Sequence, residues 1–212
     1  NPGFATMTNA APAASVAGAP DRTSLQGRRL MPGPLAGKVA LITGAARGIG
    51  RACARKLAAG GGDIVANYYN SHEEAEALCA ELRDQGRRAL AVQGSVGVPD
   101  SVDEMFAAIG REFDRLDIVV SNAASGVLKP AMEMSLKHFR WCMETNALAL
   151  NLLAQRAAPL MKDGGRILAM SSLGAQRAMP SYGFVGASKA ALEALVRTLA
   201  QELGPRGIRV NA

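Results

Sequence analysis

The sequence predicts an α/β domain, a doubly wound parallel sheet with helices on both faces. Three observations predict it. From Lys38 onward, short apolar runs alternate with amphipathic stretches of helical length. A glycine turn, GAARGIG at 44–50, follows the first apolar run without a break. The remaining clusters of small and polar residues all fall where a predicted strand ends, the edge at which open parallel sheets bind their ligands.

At 212 residues the chain is long enough for one domain with a substantial core, and 49% apolar against 20% charged residues is the balance of an ordinary globular protein. The formal charge of +6 includes Arg22, Arg28 and Arg29 near the start, and elsewhere the arginines are interspersed with acids. No basic run is interleaved with aromatics, so nucleic acid is not an expected partner, whereas anionic small molecules are. Cys53, Cys79 and Cys142 lie far apart in apolar-periodic segments, the pattern of buried thiols in a reducing, cytoplasmic compartment. His72 and His138 have no ligand partners at useful spacing, so no metal site is expected, and no apolar run is long enough to span a bilayer.

Residues 1–35, rich in Ala, Pro, Gly and Ser without periodicity, read as a disordered leader preceding a single folded domain over 36–212. Val39 to Thr43 is the first strand, and Ile49 to Ala59 the first helix. Glycines at such a turn let backbone approach a diphosphate, whose charge meets free N–H groups at the positive helix end. Asp63 to Asn67 is the second strand and completes a βαβ unit. An acid at its end would select NAD through the ribose 2′-hydroxyl. The chain has Asn67-Tyr68-Tyr69-Asn70-Ser71 there, and Arg47 in the glycine turn can pair with a 2′-phosphate, so NADPH is expected rather than NADH.

A helix with apolar Ala75, Leu78, Cys79 and Leu82 leads to the third strand, Ala89 to Gln93, and then to Gly94-Ser95-Val96. Asp100 opens the next amphipathic helix, and Leu116 to Val120 forms the fourth strand, running into Ser121-Asn122-Ala123-Ala124. Leu136 to Met161 reads as one long helix carrying Asn146 among apolar neighbours, either as a satisfied core amide or as part of an active-site relay. Arg166 to Met170 is the fifth strand and delivers Ser171 and Ser172 to its carboxyl end. Tyr182 and Lys189 follow, seven residues apart. At about 3.6 residues per turn this spacing lets them share one helix face, where an ammonium beside a phenol favours the phenolate and makes Tyr182 a candidate general acid. Ile208 to Asn211 is the sixth strand.

Taken together, TGAARGIG (43–50), SNAA (121–124), Asn146, the serine pair and YGFVGASK (182–189) resemble the short-chain dehydrogenase/reductase family over Leu35 to Ala212. The resemblance implies a Rossmann fold, a nicotinamide cofactor and hydride transfer. It implies that Ser172 orients the substrate oxygen, Tyr182 donates a proton, Lys189 bonds the nicotinamide ribose and tunes the tyrosine, and Asn146 holds a water relay. Cofactor contacts are expected from Gly44, Arg47, Gly48, Ile49 and Gly50 in the turn. Tyr68, Ser95, Val96, Asn122, Ala123 and Ala124 are expected to supply the rest.

Most of the family has its tyrosine four residues before the lysine. Here Val185 stands in that place, and the spacing resembles that of enoyl-thioester reductases. NAASGVLKP (122–130), SSLG and VGASKAALEAL look most like the NADPH-using enoyl-[acyl-carrier-protein] reductase type of some bacilli. In a conjugated thioester, hydride goes to C3 while charge collects on the oxygen of C1. A donor starting one helical turn earlier, roughly 5 Å along the axis, is repositioned to meet that displaced oxygen. The expected substrate is an acyl thioester on acyl-carrier protein or CoA. A carbonyl reductase of the same family and a cofactor-binding sensor without turnover are the alternatives.

Ala124 in place of a glycine and Ser95 in place of an acid are departures from the family pattern. The family also continues through a Pro-Gly loop, substrate-covering helices and a seventh strand after the position of Ala212. The chain therefore reads as part of a longer domain, with the sixth strand as an edge. The helix Ala187 to Leu203 carries apolar residues on more than one face, which suits a homo-oligomer, and the family is usually tetrameric.

Overall fold

A computed structural model describes residues 33–212, so the expected leader lies outside the described residues except for its last three positions. Six strands, β1 (Val39–Ile42), β2 (Asp63–Tyr68), β3 (Ala89–Gln93), β4 (Ile118–Ser121), β5 (Gly165–Ala169) and β6 (Ile208–Asn211), form one sheet in the order β3-β2-β1-β4-β5-β6. Every neighbouring pair is parallel. The chain winds outward from β1 to β3, then crosses to the other side of β1 for β4. That reversal creates a crevice between the carboxyl ends of β1 and β4, where doubly wound sheets hold their ligands.

The helices α1 (Gly48–Ala59), α2 (His72–Asp84), α3 (Pro99–Glu112), α4 (Leu136–Met143), α5 (Ala149–Ala157) and α6 (Gly183–Leu203) complete the two layers. Alternation along β1 sorts the core. Val39 and Leu41 join α3, α5 and α6 residues such as Ile109, Leu153 and Leu192 on one face, while Ala40 and Ile42 meet Ala54 and Ala58 of α1 and Leu78, Cys79 and Leu82 of α2 on the other. Burial pushes the Cys79 thiol up to about 11, which keeps it protonated and inert.

β1 is buried along its whole length, as expected of a parallel strand covered on both faces. β5 and β6 differ, alternating buried and exposed residues, with Arg166, Leu168, Arg209 and Asn211 facing outward. Only one face of that half of the sheet is covered among the described residues.

At the amino ends of the strands, Asp117 ties β1 to β4. Its carboxylate accepts hydrogen bonds from Lys38 Nζ and the Val39 amide, each at 3.0 Å, and from Arg115 Nε and Nη2 at 2.9 and 2.6 Å. Desolvation pushes this carboxyl up, but the bonds from Arg115, Val39 and Lys38 outweigh it and hold its pKa below the ordinary aspartate value.

The expected single helix from Leu136 to Met161 is interrupted. Between α4 and α5 the backbone forms a π turn over Glu144–Leu148, and a 3-10 turn over Ala158–Leu160 follows α5. A π turn absorbs an additional residue into a helix, and here it contains Asn146. At the start of α4, Ser135 and His138 form a reciprocal capping box, giving His138 a local structural partner.

Candidate active site

The carboxyl ends of β1 and β4 are stapled by two side chains. Thr43 is fully buried, and its Oγ1 accepts the backbone N–H groups of Asn122 and Ala123 at 2.9 and 3.0 Å. Asn122 Nδ2 donates in return to the carbonyls of Thr43 and Gly44 at 2.9 and 3.3 Å. The glycine turn depends on conformations that side chains resist: Gly44 and Gly48 have φ of 63° and 55°. A Cβ on Gly50 would stand 2.3 Å from the Gly44 carbonyl oxygen. The first turn of α1 carries no acidic residue, and its N-cap, Arg47, makes no side-chain cap bond. Its N–H groups and positive end are therefore available to an anion.

This turn opens into a cleft of about 520 Å³ lined by Gly44, Arg47, Asn122, Ala123 and Ala124 on its inner side. The wall from β2 and β3 supplies Tyr68, Tyr69, Asn70, Ser71, Ser95 and Val96. The set fits a nicotinamide dinucleotide phosphate: a glycine cradle and helix end for the diphosphate, a shared wall for the adenosine, and Arg47, Asn70 and Ser71 in the same lining for the 2′-phosphate. Arg47 is exposed and makes no ion pair among the described residues. Gly48 and Gly50 shape the turn without lining the cleft, and Ile49 is 60% exposed outside it.

Strand β2 runs one residue past the expected end at Asn67, which is buried. Its amide donates to the Gly94 carbonyl at 3.1 Å and more weakly to Val92 at 3.4 Å, bridging β2 to β3. The residues that replace the NAD-selecting acid are therefore the exposed Tyr69 and Asn70 and the half-buried Ser71.

The other predicted residues gather along β5 and the start of α6. Tyr182 lies just off the helix, as its N-cap, and its hydroxyl and the Lys189 ammonium bond to different partners. The tight turn Met179–Tyr182 presents it: Tyr182 N donates to the Met179 carbonyl at 3.2 Å, with Pro180 and Ser181 between. Ser181, at φ 57°, takes the left-handed position that a type II turn demands and that glycine or asparagine usually fills. Tyr182 Oη donates to Ser172 Oγ at 3.2 Å, loose for two hydroxyls.

Lys189 is 5% exposed, and its Nζ donates to the Met170 carbonyl at 2.6 Å, immediately before the serine pair. Burial pulls its pKa below the ordinary lysine value. Lys189 is thus tied to the end of β5, and Tyr182 to Ser172.

Asn146 is a clamp. Its Oδ1 accepts the Ser125 amide and its Nδ2 donates to the Ser125 carbonyl, both at 2.8 Å, while the second Nδ2 hydrogen goes to Ser188 Oγ at 2.9 Å. Both amide hydrogens are spent in holding the loop after β4 against α6. Val185, in the place of the family's usual tyrosine, is buried. A Cβ on Gly126 would stand 2.3 Å from its Cγ2. Of the chain's three tyrosines, Tyr68 and Tyr69 are at the end of β2, leaving Tyr182 as the phenol of this edge.

Sequence reasoning placed Thr43 at the end of a strand and at the head of the TGAARGIG motif but assigned it no role, although a hydroxyl before a glycine turn was a usable clue. It also missed Trp141, Glu144 and Thr145, which line the cleft from α4 and the π turn. Nothing in their spacing marks them.

A parallel sheet with a glycine turn at its switch point defines the class: a dinucleotide-binding Rossmann domain. Residues 44–212 match the family described as Enoyl-(Acyl carrier protein) reductase. The chain is 42% identical over 175 residues to a 1-cyclohexenylcarbonyl-CoA reductase of Streptomyces collinus, with 82% of this chain and 62% of the relative covered. It is 39% identical over 182 residues to a hydroxynaphthalene reductase-like protein of Metarhizium brunneum, covering 85% and 68%. A short-chain dehydrogenase of Burkholderia cenocepacia, solved in complex with NADP, superposes with a TM-score of 0.80 at 38% identity, covering 84% of this chain and 73% of that one. The chain belongs to the short-chain dehydrogenase/reductase family. It spans less than two thirds of the length of the Streptomyces relative.

Proposed function

We propose that the protein is an NADPH-dependent reductase of the C2–C3 double bond of an enoyl thioester, carried by CoA or acyl-carrier protein. The observation that carries this reading is Tyr182 at the N-cap of α6, bonded to Ser172, with Val185 buried in the place of the usual tyrosine. The name of the Streptomyces relative, a reductase of a conjugated CoA thioester, agrees with it.

Bound NADPH supplies a hydride. The overall change adds that hydride to C3 and a proton to C2 of the enoyl thioester, giving the saturated thioester and NADP⁺. Gly44 and the first turn of α1, shaped by Gly48 and Gly50, would hold the diphosphate, and Arg47 with Asn70 and Ser71 the 2′-phosphate. Tyr182 offers its O–H to the thioester oxygen on which negative charge develops, lowering the barrier electrostatically. Ser172 Oγ accepts from Tyr182 and from the Gly174 amide, so its own proton is free to orient the same oxygen. Lys189 buttresses the end of β5 through Met170 and places a positive charge at this edge.

The Ser172–Tyr182 pair equally serves a ketone, and the Metarhizium relative bears a hydroxynaphthalene reductase-like name. Carbonyl reduction is therefore the second reading. NADPH oxidation followed spectrophotometrically with 2-enoyl and 3-ketoacyl thioesters separates them. Turnover of the enoyl substrates is expected, and turnover of the ketoacyl substrates alone rejects the first reading.

A homo-oligomer, with a tetramer as the expected stoichiometry, belongs to the same proposal. Ala187, Ala190 and Ala194 give α6 a smooth exposed face that permits close helix approach. A light-scattering mass equal to one chain would refute it. Among the described residues no helix is long and apolar enough to cross a membrane.

A further inference from the structure

We infer that Gly174 is a positioning residue for the Ser172–Tyr182 pair, an inference that rests on the reading of Tyr182 as the proton donor. Gly174 sits in the 3-10 turn Leu173–Ala175 that links β5 to the segment carrying the tyrosine, and it touches both members of the pair. Its N–H donates to Ser172 Oγ at 3.2 Å. Its Cα lies under the tyrosine ring, so closely that a Cβ there would stand 2.5 Å from both Cδ1 and Cε1 of Tyr182. On the far side its carbonyl rests on α6, where a Cβ on Gly186 would stand 2.6 Å from it. The Gly174 peptide is therefore wedged between the first turn of α6 and the ring of Tyr182 just before it.

The ring has little room to retreat. Tyr182 is held at its amide by Met179, at its carbonyl by the Gly186 N–H at 2.7 Å, and at its hydroxyl by Ser172. The turn before it is already set in an unfavourable conformation by Ser181. Gly174 itself is not in the left-handed region, so its backbone accepts alanine, and the obstacle to a side chain is the ring. A methyl group there displaces the Tyr182 hydroxyl relative to Ser172 and leaves the nucleotide cleft untouched. A tyrosine outside the helix lacks the flanking turns that would fix its ring, and the glycine platform supplies that constraint.

The test is a double-mutant cycle on the full chain, read by turnover, NADPH dissociation constant and thermal stability. Gly174→Ala is expected to lower kcat by about 100-fold, the scale of a 1 Å misplacement, with the NADPH dissociation constant unchanged. In a Tyr182→Phe background it should cost no further turnover. Its destabilisation should vanish in a Tyr182→Ala background, where the ring is gone.

If Gly174→Ala alone does not fold, Gly174→Ala/Tyr182→Ala must. Failure of that double variant to fold overturns the inference. So does wild-type turnover in Gly174→Ala, or an equal destabilisation with and without the ring. Gly110→Ala, in α3 where a Cβ meets nothing within 4 Å, serves as the control and should leave turnover unchanged. If Tyr182→Phe itself retains full turnover, the proton-donor reading fails instead, and the stability cycle still tests the contact.

Discussion

The two halves of the sheet are built differently. β1 and β2 are covered on both faces and buried almost throughout, whereas β5 and β6 alternate buried with exposed residues. The nucleotide cleft grows from the first half, and most of its shape follows from backbone: a glycine turn, a helix end, and strand termini tied together by Thr43, Asn122 and Asn67. The candidate catalytic groups come from the second half, where no second helical layer among the described residues braces β5. Local devices do the holding there: the Ser181 turn, the Gly174 platform, the Asn146 clamp and the Lys189 bond to Met170. Binding is thus a property of the fold, while chemistry rests on a few contacts that single substitutions can break.

The largest expected effect separates the halves most cleanly. Tyr182→Phe should reduce turnover by about 10² to 10⁴-fold, the usual contribution of a positioned general acid, while NADPH affinity measured by fluorescence titration stays at the wild-type value. Comparable turnover would remove Tyr182 from the chemistry.

The next effect acts on both halves together, because Asp117 joins β1 to β4 at the opposite end of the strands. Asp117→Ala should lower unfolding stability by about 2–3 kcal/mol, since it orphans the Val39 amide and two cations. The carboxyl's folded pKa is depressed, so its contribution is complete above the unfolded value of about 3.9 and disappears as pH falls through the lower folded value. Denaturant titrations should accordingly find an acid-side stability loss in the wild type that Asp117→Asn flattens. A parallel loss in both proteins would place the acid sensitivity elsewhere.

The smallest effect is confined to the cleft. Arg47→Ala should weaken NADPH binding by about tenfold, or 1.4 kcal/mol, and leave NADH binding and the chemical step unchanged. An equal loss for both cofactors would separate Arg47 from the 2′-phosphate.

The same contrast explains what the sequence made legible. The sheet was readable because its signals are local and repetitive: Val39 to Ile42, Ala89 to Gln93 and Ile208 to Asn211 are apolar or alternating runs bounded by turns. The glycine turn was readable because only glycine tolerates Gly44 and Gly48 as they stand. The π turn at Glu144–Leu148 was not, since one extra residue in a helix barely disturbs its hydrophobic period. The displacement of Tyr182 from the helix escaped the seven-residue spacing argument because Pro180 and Ser181, outside the helix, decide where the helix begins. Gly174 was hidden because its neighbour, Tyr182, is brought to it only by the fold.

The central claim is that this site reduces a conjugated double bond, with hydride delivered to C3. It is tested most directly by giving the protein NADPH carrying deuterium at the transferable position, together with equal amounts of a 2-enoyl and a 3-ketoacyl thioester, and locating the label in the products by mass spectrometry and NMR. The account predicts deuterium at C3 of the saturated acyl thioester. Deuterium found instead on the carbinol carbon of a 3-hydroxyacyl thioester, with the enoyl substrate untouched, would contradict it.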